Sequence, residues 1–176
     1  AGRWMDLQRC GAALTLRAGH SFGSYWERYG EEHPEWFALQ PDGSRKQGKG
    51  DRERLCLSND ALRDRIVENL KTYFRENPAA VSASIGLNDG GAEWFCHCEP
   101  CRSWDAPEAG TVLWGTRTVP NMSDRVWRFS TDIAARIEKA CPGKVLTAYA
   151  YSAYRDAPRR KLDFPKNLII GVVGGV

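Results

Sequence analysis

The stretch Val81–Cys101, VSASIGLNDGGAEWFCHCEPC, decides how this chain is read. Its first half alternates small and apolar residues and stops at Asn88-Asp89-Gly90-Gly91, so a short buried strand over Ala80–Leu87 is expected to run into a turn. Its second half packs Cys96, Cys98 and Cys101 into six residues, with His97 and Glu99 between them. A carboxylate, Asp89, therefore stands at a strand's C-terminal end, and a thiol cluster sits just beyond it. That pattern reads as an active-face loop held rigid by a metal or by disulfides.

Helices flank this strand on both sides. Leu62, Ile66, Val67, Leu70, Tyr73 and Phe74 share one helical face, with Ser58 or Asn59 as the cap and Asn77-Pro78 as the stop. A second helix is expected from Ser123 to Ala140, with Val126, Trp127, Ile133, Ala134 and Ile137 inward and Pro142-Gly143 at its end. Val145–Tyr151 and Leu168–Val173 read as further strands. Nearer the start, Arg3–Arg9 reads as the tail of a helix closed by Gly11, and Ala12–Arg17 as a strand ending at His20. Tyr25–Glu32 is predicted helical up to Pro34. Glu35–Gln40 is extended and meets a turn at Pro41-Asp42-Gly43-Ser44, which predicts a small hairpin. Gln47–Asp51 is a glycine-rich loop. Strands separated by amphipathic helices make βαβ units and a parallel sheet. Right-handed crossovers then put His20, Asn88, Asp89, Tyr149 and Tyr151 near one shared face, where α/β proteins carry their chemistry. Residues Gly90–Asn121 show no regular pattern, and a loop of that length is expected to be functional.

The cysteines leave three readings open. Zinc needs four thiolate or imidazole ligands, and close spacing lets one turn supply several. Cys96, Cys98 and Cys101 would give three, and Cys56 is the first choice for the fourth, ahead of His97 and Cys10. Such an all-thiolate site is structural, because it leaves no open position. Disulfides fit the even count of six cysteines, and unpaired buried thiols are the third reading. Asp89 reads as a general acid or nucleophile on one side and as a plain turn residue on the other. His20 is either a ligand contact or a satisfied loop histidine, and His33-Pro34 is structural.

Composition excludes some classes. With 176 residues the chain fits one domain, and 42% hydrophobic with 27% charged residues is ordinary for a globular protein. A net charge of +3 is too weak to argue for nucleic acid, and Arg159-Arg160-Lys161 reads as a solvated loop. No apolar run approaches the ~20 residues of a membrane span. Seven Trp, six Tyr and six Phe fall mostly near turns, among them Trp26, Trp36, Trp94, Phe95, Trp104 and Trp114. They serve either core packing or a cleft that stacks on a flat ligand, for which a sugar is the natural candidate.

Five segments, in order, carry a resemblance: GHSF at Gly19–Phe22, HPEWFAL with Asp42-Gly43, LCLSN at Leu55–Asn59, NDGG through CHCEPC at Asn88–Cys101, and SDRVWRF at Ser123–Phe129. Together they resemble an uncharacterised bacterial family, a domain of unknown function found in large carbohydrate-active proteins and similar to α-glucuronidase-like glycoside hydrolases. The resemblance covers nearly the whole chain. It implies a (β/α)₈ TIM-like barrel whose cleft binds a carbohydrate, with Asp89 in the acid/base position. There the pair is Asn88-Asp89, with Asp where Glu is more usual. The substrate-binding set is His20, Asn88, Trp94, Tyr149 and Tyr151, and the metal set is Cys56, Cys96, Cys98 and Cys101. A protein of this kind is expected to be extracellular or periplasmic. A full barrel takes about 250 residues, so four strands here read as a fragment entered in a helix and left at a strand. Its two open sheet edges are expected to associate with another copy or with the remaining barrel segments. No second carboxylate falls at a later strand end, so the fragment alone is expected to have no glycosidase activity.

Overall fold

The computed structural model of this chain describes residues 16–48, 52 and 54–173. The expected helix at Arg3–Arg9, Cys10, nearly all of the expected strand Ala12–Arg17 and most of the end of the Gln47–Asp51 loop lie outside the described residues. The order of elements is α1 (Tyr25–Tyr29), α2 (Asp60–Glu76), β1 (Ser82–Ser84), α3 (Glu99–Arg102), β2 (Thr111–Trp114), β3 (Arg117–Pro120), α4 (Ser123–Ala140), β4 (Val145–Ala150) and β5 (Leu168–Val172). Short 3₁₀ turns occupy Pro34–Trp36, Ala92–Trp94 and Ser152–Tyr154.

The sheet that matters is three-stranded and parallel, in the order β1-β4-β5. A parallel bridge between His20 and Gly86 adds the start of the chain beside β1. Neighbours in space thus follow the order of the sequence. The two long helices lie on one side of this sheet and pack against each other. Alternation along the strands explains why. Ala83, Ile85, Leu146, Ala148 and Ala150 are buried in the same core as Leu62, Ile66, Phe129, Ile133 and Ile137. The register pairs Ala83 with Leu146 and Ala148 with Ile170, so one apolar layer runs across all three strands. Ser84, Thr147, Tyr149 and Tyr151 alternate onto the opposite face. Among the described residues the sheet is open: they form no closed barrel, and the edge of β5 exposes Ile169, Val172 and Val173.

The helices form for reasons visible in the residues. In α2, buried Leu62, Ile66, Val67, Leu70 and Phe74 fall at spacings of four, one, three and four residues and make one stripe. Asn59 supplies the cap, its side-chain oxygen accepting from the Leu62 N–H at 2.9 Å. Asn77 ends the helix, where Pro78 forbids its continuation. In α4, Phe129, Ile133, Ala134 and Ile137 are fully buried. Burying each large one stabilises the fold by ~1.5–3 kcal/mol, and truncating Ile133 to alanine would cost about 2–5 kcal/mol.

The segment Gly90–Asn121 corrects the expectation of an irregular loop. It holds a 3₁₀ turn, the one-turn helix α3 and the antiparallel β2–β3 hairpin. The hairpin register pairs Trp114 with Arg117 across Gly115-Thr116. Gly115 has φ +58°, the first central position that a type II′ turn reserves for glycine. The helix expected over Tyr25–Glu32 is shorter, ending at Tyr29. Near the Pro41–Ser44 turn, the antiparallel partner of Phe37 is Leu55.

Candidate functional site

Two constellations meet at the C-terminal edge of the parallel sheet. The first centres on Asp89, which leaves β1 in an exposed turn. The Tyr151 hydroxyl donates to Asp89 Oδ1 at 2.7 Å. Tyr151 lies one residue past β4, so two neighbouring parallel strands deliver the pair to the same edge. That hydrogen bond is the main cause of a lowered Asp89 pKa, aided by the Gly90 amide, His20 and Arg52. Burial and the same bond to an anion push the Tyr151 phenol up to about 12. Asp89 is therefore an ionised acceptor at neutral pH, and Tyr151 is a protonated donor.

Aromatic rings surround the pair. His20 lies 6.3 Å from the Tyr151 ring centre, Trp114 5.7 Å and Tyr154 5.3 Å. His20 Nδ1 donates to the Leu87 carbonyl at 2.5 Å, which leaves Nε2 as the nitrogen able to meet a ligand. The approach of His20 depends on Gly86: a Cβ there would overlap the Gly19 carbonyl oxygen. Ser152, directly after Tyr151, holds φ 51° while buried, an uncommon conformation for a non-glycine residue. It turns the chain so that Tyr151 and Tyr154 sit side by side.

The other residues of the expected substrate-binding set have neighbours of their own. Asn88 is 1% exposed, and its Oδ1 accepts from the Phe22 N–H at 3.0 Å. It braces the His20 segment against β1. Tyr149 packs its ring edge against Gly171 of β5. Trp94 lines a separate hollow of about 310 Å³ with Gln40, Pro41, Asp42, Lys46 and Glu93. Trp114 stood among the aromatics that the sequence offered for core or cleft but outside the expected substrate-binding set, and Tyr154 was not singled out. The signal for Trp114 was the Gly-Thr turn that folds the hairpin back onto the site. For Tyr154 there was no signal, since its approach depends on the turn at Ser152.

The second constellation is the thiol cluster. Cys56, Cys96, Cys98 and Cys101 have their sulfurs within 4.8 Å of one another. A zinc ion bound to four sulfurs at ~2.3 Å in a tetrahedron sets those sulfurs about 3.8 Å apart. Cys56 lies 3.6 Å from Cys98 and 3.8 Å from Cys101. The described cysteines are unbridged, so the geometry matches a metal site in size. Cys10 lies outside the described residues, and His97 turns its Nδ1 to Arg102 at 2.8 Å.

The surroundings of the sulfurs suit an anionic centre. The Leu39 N–H donates to Cys96 Sγ at 3.2 Å, and Ser58 Oγ sits 3.1 Å from Cys101 Sγ. Hydrogen bonds from Cys101, Cys56 and two backbone amides hold Cys96 far below the usual thiol range. Contact with the other sulfurs, and burial, push Cys101 up. Arg45 and buried Arg125 feel the sulfurs as negative charge, Arg125 being raised chiefly by Asp105 against its own desolvation. Arg125 also donates to the Cys96 carbonyl at 2.8 Å. A divalent ion with four thiolates would carry a net −2, which Arg45 and the Arg125 guanidinium, itself paired with Asp105, would offset in part.

A family model described as a domain of unknown function, DUF4838, matches residues 5–174. No curated protein matches the chain. Among solved structures it is similar to a GH36 α-galactosidase AgaA variant from Geobacillus stearothermophilus in complex with 1-deoxygalactonojirimycin, at 15% identity and a TM-score of 0.41. That likeness covers 68% of this chain and 14% of the other, so the chain spans a small part of the neighbour's length.

Proposed function

The chain belongs to the DUF4838 family, a domain of unknown function, and we propose that it is a glycoside-hydrolase-like sector of a (β/α)₈ barrel in a carbohydrate-active protein. Its substrate would be a polysaccharide or glycoconjugate. The observation that carries this reading is the Asp89–Tyr151 pair at 2.7 Å, ringed by His20 and Trp114 at the C-terminal edge of parallel strands. A sugar offers hydroxyl protons to a carboxylate or an imidazole nitrogen, and an apolar ring face to an indole or phenol. Winding in sequence order with both long helices on one face is what a barrel sector requires.

The depressed pKa favours one of the two roles open to Asp89. A general acid must hold its proton at working pH, and this carboxylate has given its proton up. Asp89 is better suited to base or nucleophile, or to hydroxyl recognition. Glycoside cleavage needs a second carboxyl group about 5–5.5 Å away for retention or ~6.5–9.5 Å for inversion. Glu93, the next acidic residue along the loop, faces other hollows. These 176 residues alone are therefore expected to bind sugar without turning it over. That single carboxylate also supports the second reading, a site that binds carbohydrate without cleaving it.

We assign Cys56, Cys96, Cys98 and Cys101 to a structural zinc ion. It would supply no chemistry beyond fixing the loop that follows Asp89, because four thiolates leave it no open position. The test of the sugar reading is a glycan array probed with wild type and Asp89→Asn, followed by aryl glycosides on a longer chain containing this one. Binding that disappears with Asp89→Asn supports the site. Binding that is absent from both proteins refutes it.

A further inference from the structure

Arg54 occupies a place that the reading above leaves unexplained. It is 6% exposed, yet it carries a charge. Its Nη1 donates to the Asn88 carbonyl, and its Nη2 donates to the Gly90 carbonyl at 2.6 Å. Those two carbonyls flank Asp89 in the chain. The guanidinium also lies over the Phe95 ring, 5.0 Å from its centre. Nothing about packing alone calls for an arginine in this position. An apolar side chain of the same volume would fill it without the cost of desolvating a cation.

The backbone of Arg54 is held as well. Its carbonyl accepts from the Ala38 N–H at 2.8 Å, and the Cys56 N–H donates to the Trp36 carbonyl at 2.8 Å. Arg54 and Cys56 are alternate residues of this one extended segment, so they project to the same side. The segment reaches Asp89 with one side chain and the thiol cluster with the other. We infer that Arg54 is the positioning residue of Asp89, its planar fork gripping the two carbonyls on either side and aiming the carboxylate at Tyr151. This rests on Asp89 being the acidic group of the site. A fork is required because two acceptors must be held at once, and an ammonium or an amide serves one of them well.

The experiment uses the full chain with ¹³C-labelled aspartate, and Asp89→Asn identifies the Asp89 carboxyl signal. Arg54→Gln and Arg54→Lys are compared with wild type at neutral pH, with unfolding midpoint as the control for folding. Arg54→Gln is expected to move the Asp89 signal toward that of a solvent-exposed aspartate. It should also speed amide exchange at residues 88–91 by at least about tenfold, the loss of one charge-assisted hydrogen bond. Arg54→Lys is expected to restore part of both. If the folded Arg54→Lys and Arg54→Gln proteins keep the wild-type signal and exchange rates, the inference is overturned. Glycan binding in the same samples separates the two ideas. A shifted Asp89 signal in a protein whose wild type binds no sugar retains Arg54 and removes the sugar reading. Binding in the wild type, with an unmoved signal in both variants, does the reverse.

Discussion

Replacing Gly86 with alanine tests how the site is assembled. Gly86 follows β1 and bridges to His20. An added Cβ would lie inside the van der Waals envelope of the Gly19 carbonyl oxygen, and 3.3 Å from both the Gly19 carbonyl carbon and Ser84 Oγ. The obstacle is backbone, so no rotamer change relieves it. The Gly19–Ser21 segment must retreat, which strains the Ser21 N–H bond to the Gly86 carbonyl at 3.0 Å and the Ser84 hydroxyl bond to the Gly19 carbonyl at 2.6 Å. Overpacking costs ~1–3 kcal/mol and each of the two weakened hydrogen bonds about 1 kcal/mol, for a total of about 3–5 kcal/mol. For a chain of this size that lowers the melting temperature by roughly 6–20 °C. Urea and thermal melts measure the loss. Gly171→Ala is the internal comparison, because its Cβ would meet the edge of the Tyr149 ring at 3.2 Å and a ring can tilt. A Gly86→Ala loss below about 0.5 kcal/mol, the range of an indifferent surface change, would refute the close approach and with it the delivery of His20 to Asp89.

Other outcomes follow from the same contacts. Purified protein should carry about one equivalent of zinc, and chelation should loosen residues 90–121, because site binding energy is folding energy; metal analysis that returns none, with disulfides found by mass spectrometry, would remove the assignment. The Asp89 pKa is lowered from its ordinary 3.8, so the stability it adds is complete above that value and is lost as pH falls through the depressed one; since Asp89 is exposed, solvent screening keeps the amount small, and a melt series should be flat between about pH 5 and pH 7 as far as this group is concerned. Asp89→Asn should bring the Tyr151 phenol down from about 12 toward, but not to, its ordinary 10.0, because burial is the larger cause of the shift; phenolate absorbance on alkaline titration reads it, and an unchanged value would deny the bond. Asn59→Ala should cost about 1 kcal/mol by uncapping α2, while Ser58→Ala, beside the sulfurs, should leave helix stability alone and alter metal retention instead.

Local patterning alone determined the frame of this protein. The apolar stripes of α2 and α4, the Asn77-Pro78 and Pro142-Gly143 stops, and the β4 and β5 runs are each readable because side-chain period and backbone breakers act over a few residues. The CxCxxC spacing marked a thiol cluster for the same reason, and Cys56, expected from its place before a helix near the strand ends, lies with the other three within 4.8 Å. What the tertiary structure alone decided lies across the chain. The hairpin at 111–120 was legible only through Gly115, since its exposed strands carry little alternation. Whether Ser58 or Asn59 caps α2 depended on the Cys101 sulfur, 43 residues along the chain and 3.1 Å from the serine hydroxyl. Asn88 turned inward to the Phe22 amide, Trp94 went to another hollow, and Arg54 came under Asp89 from a segment 36 residues from Gly90. Each of these is settled by hydrogen bonds and excluded volume between distant segments, and no local pattern encodes them.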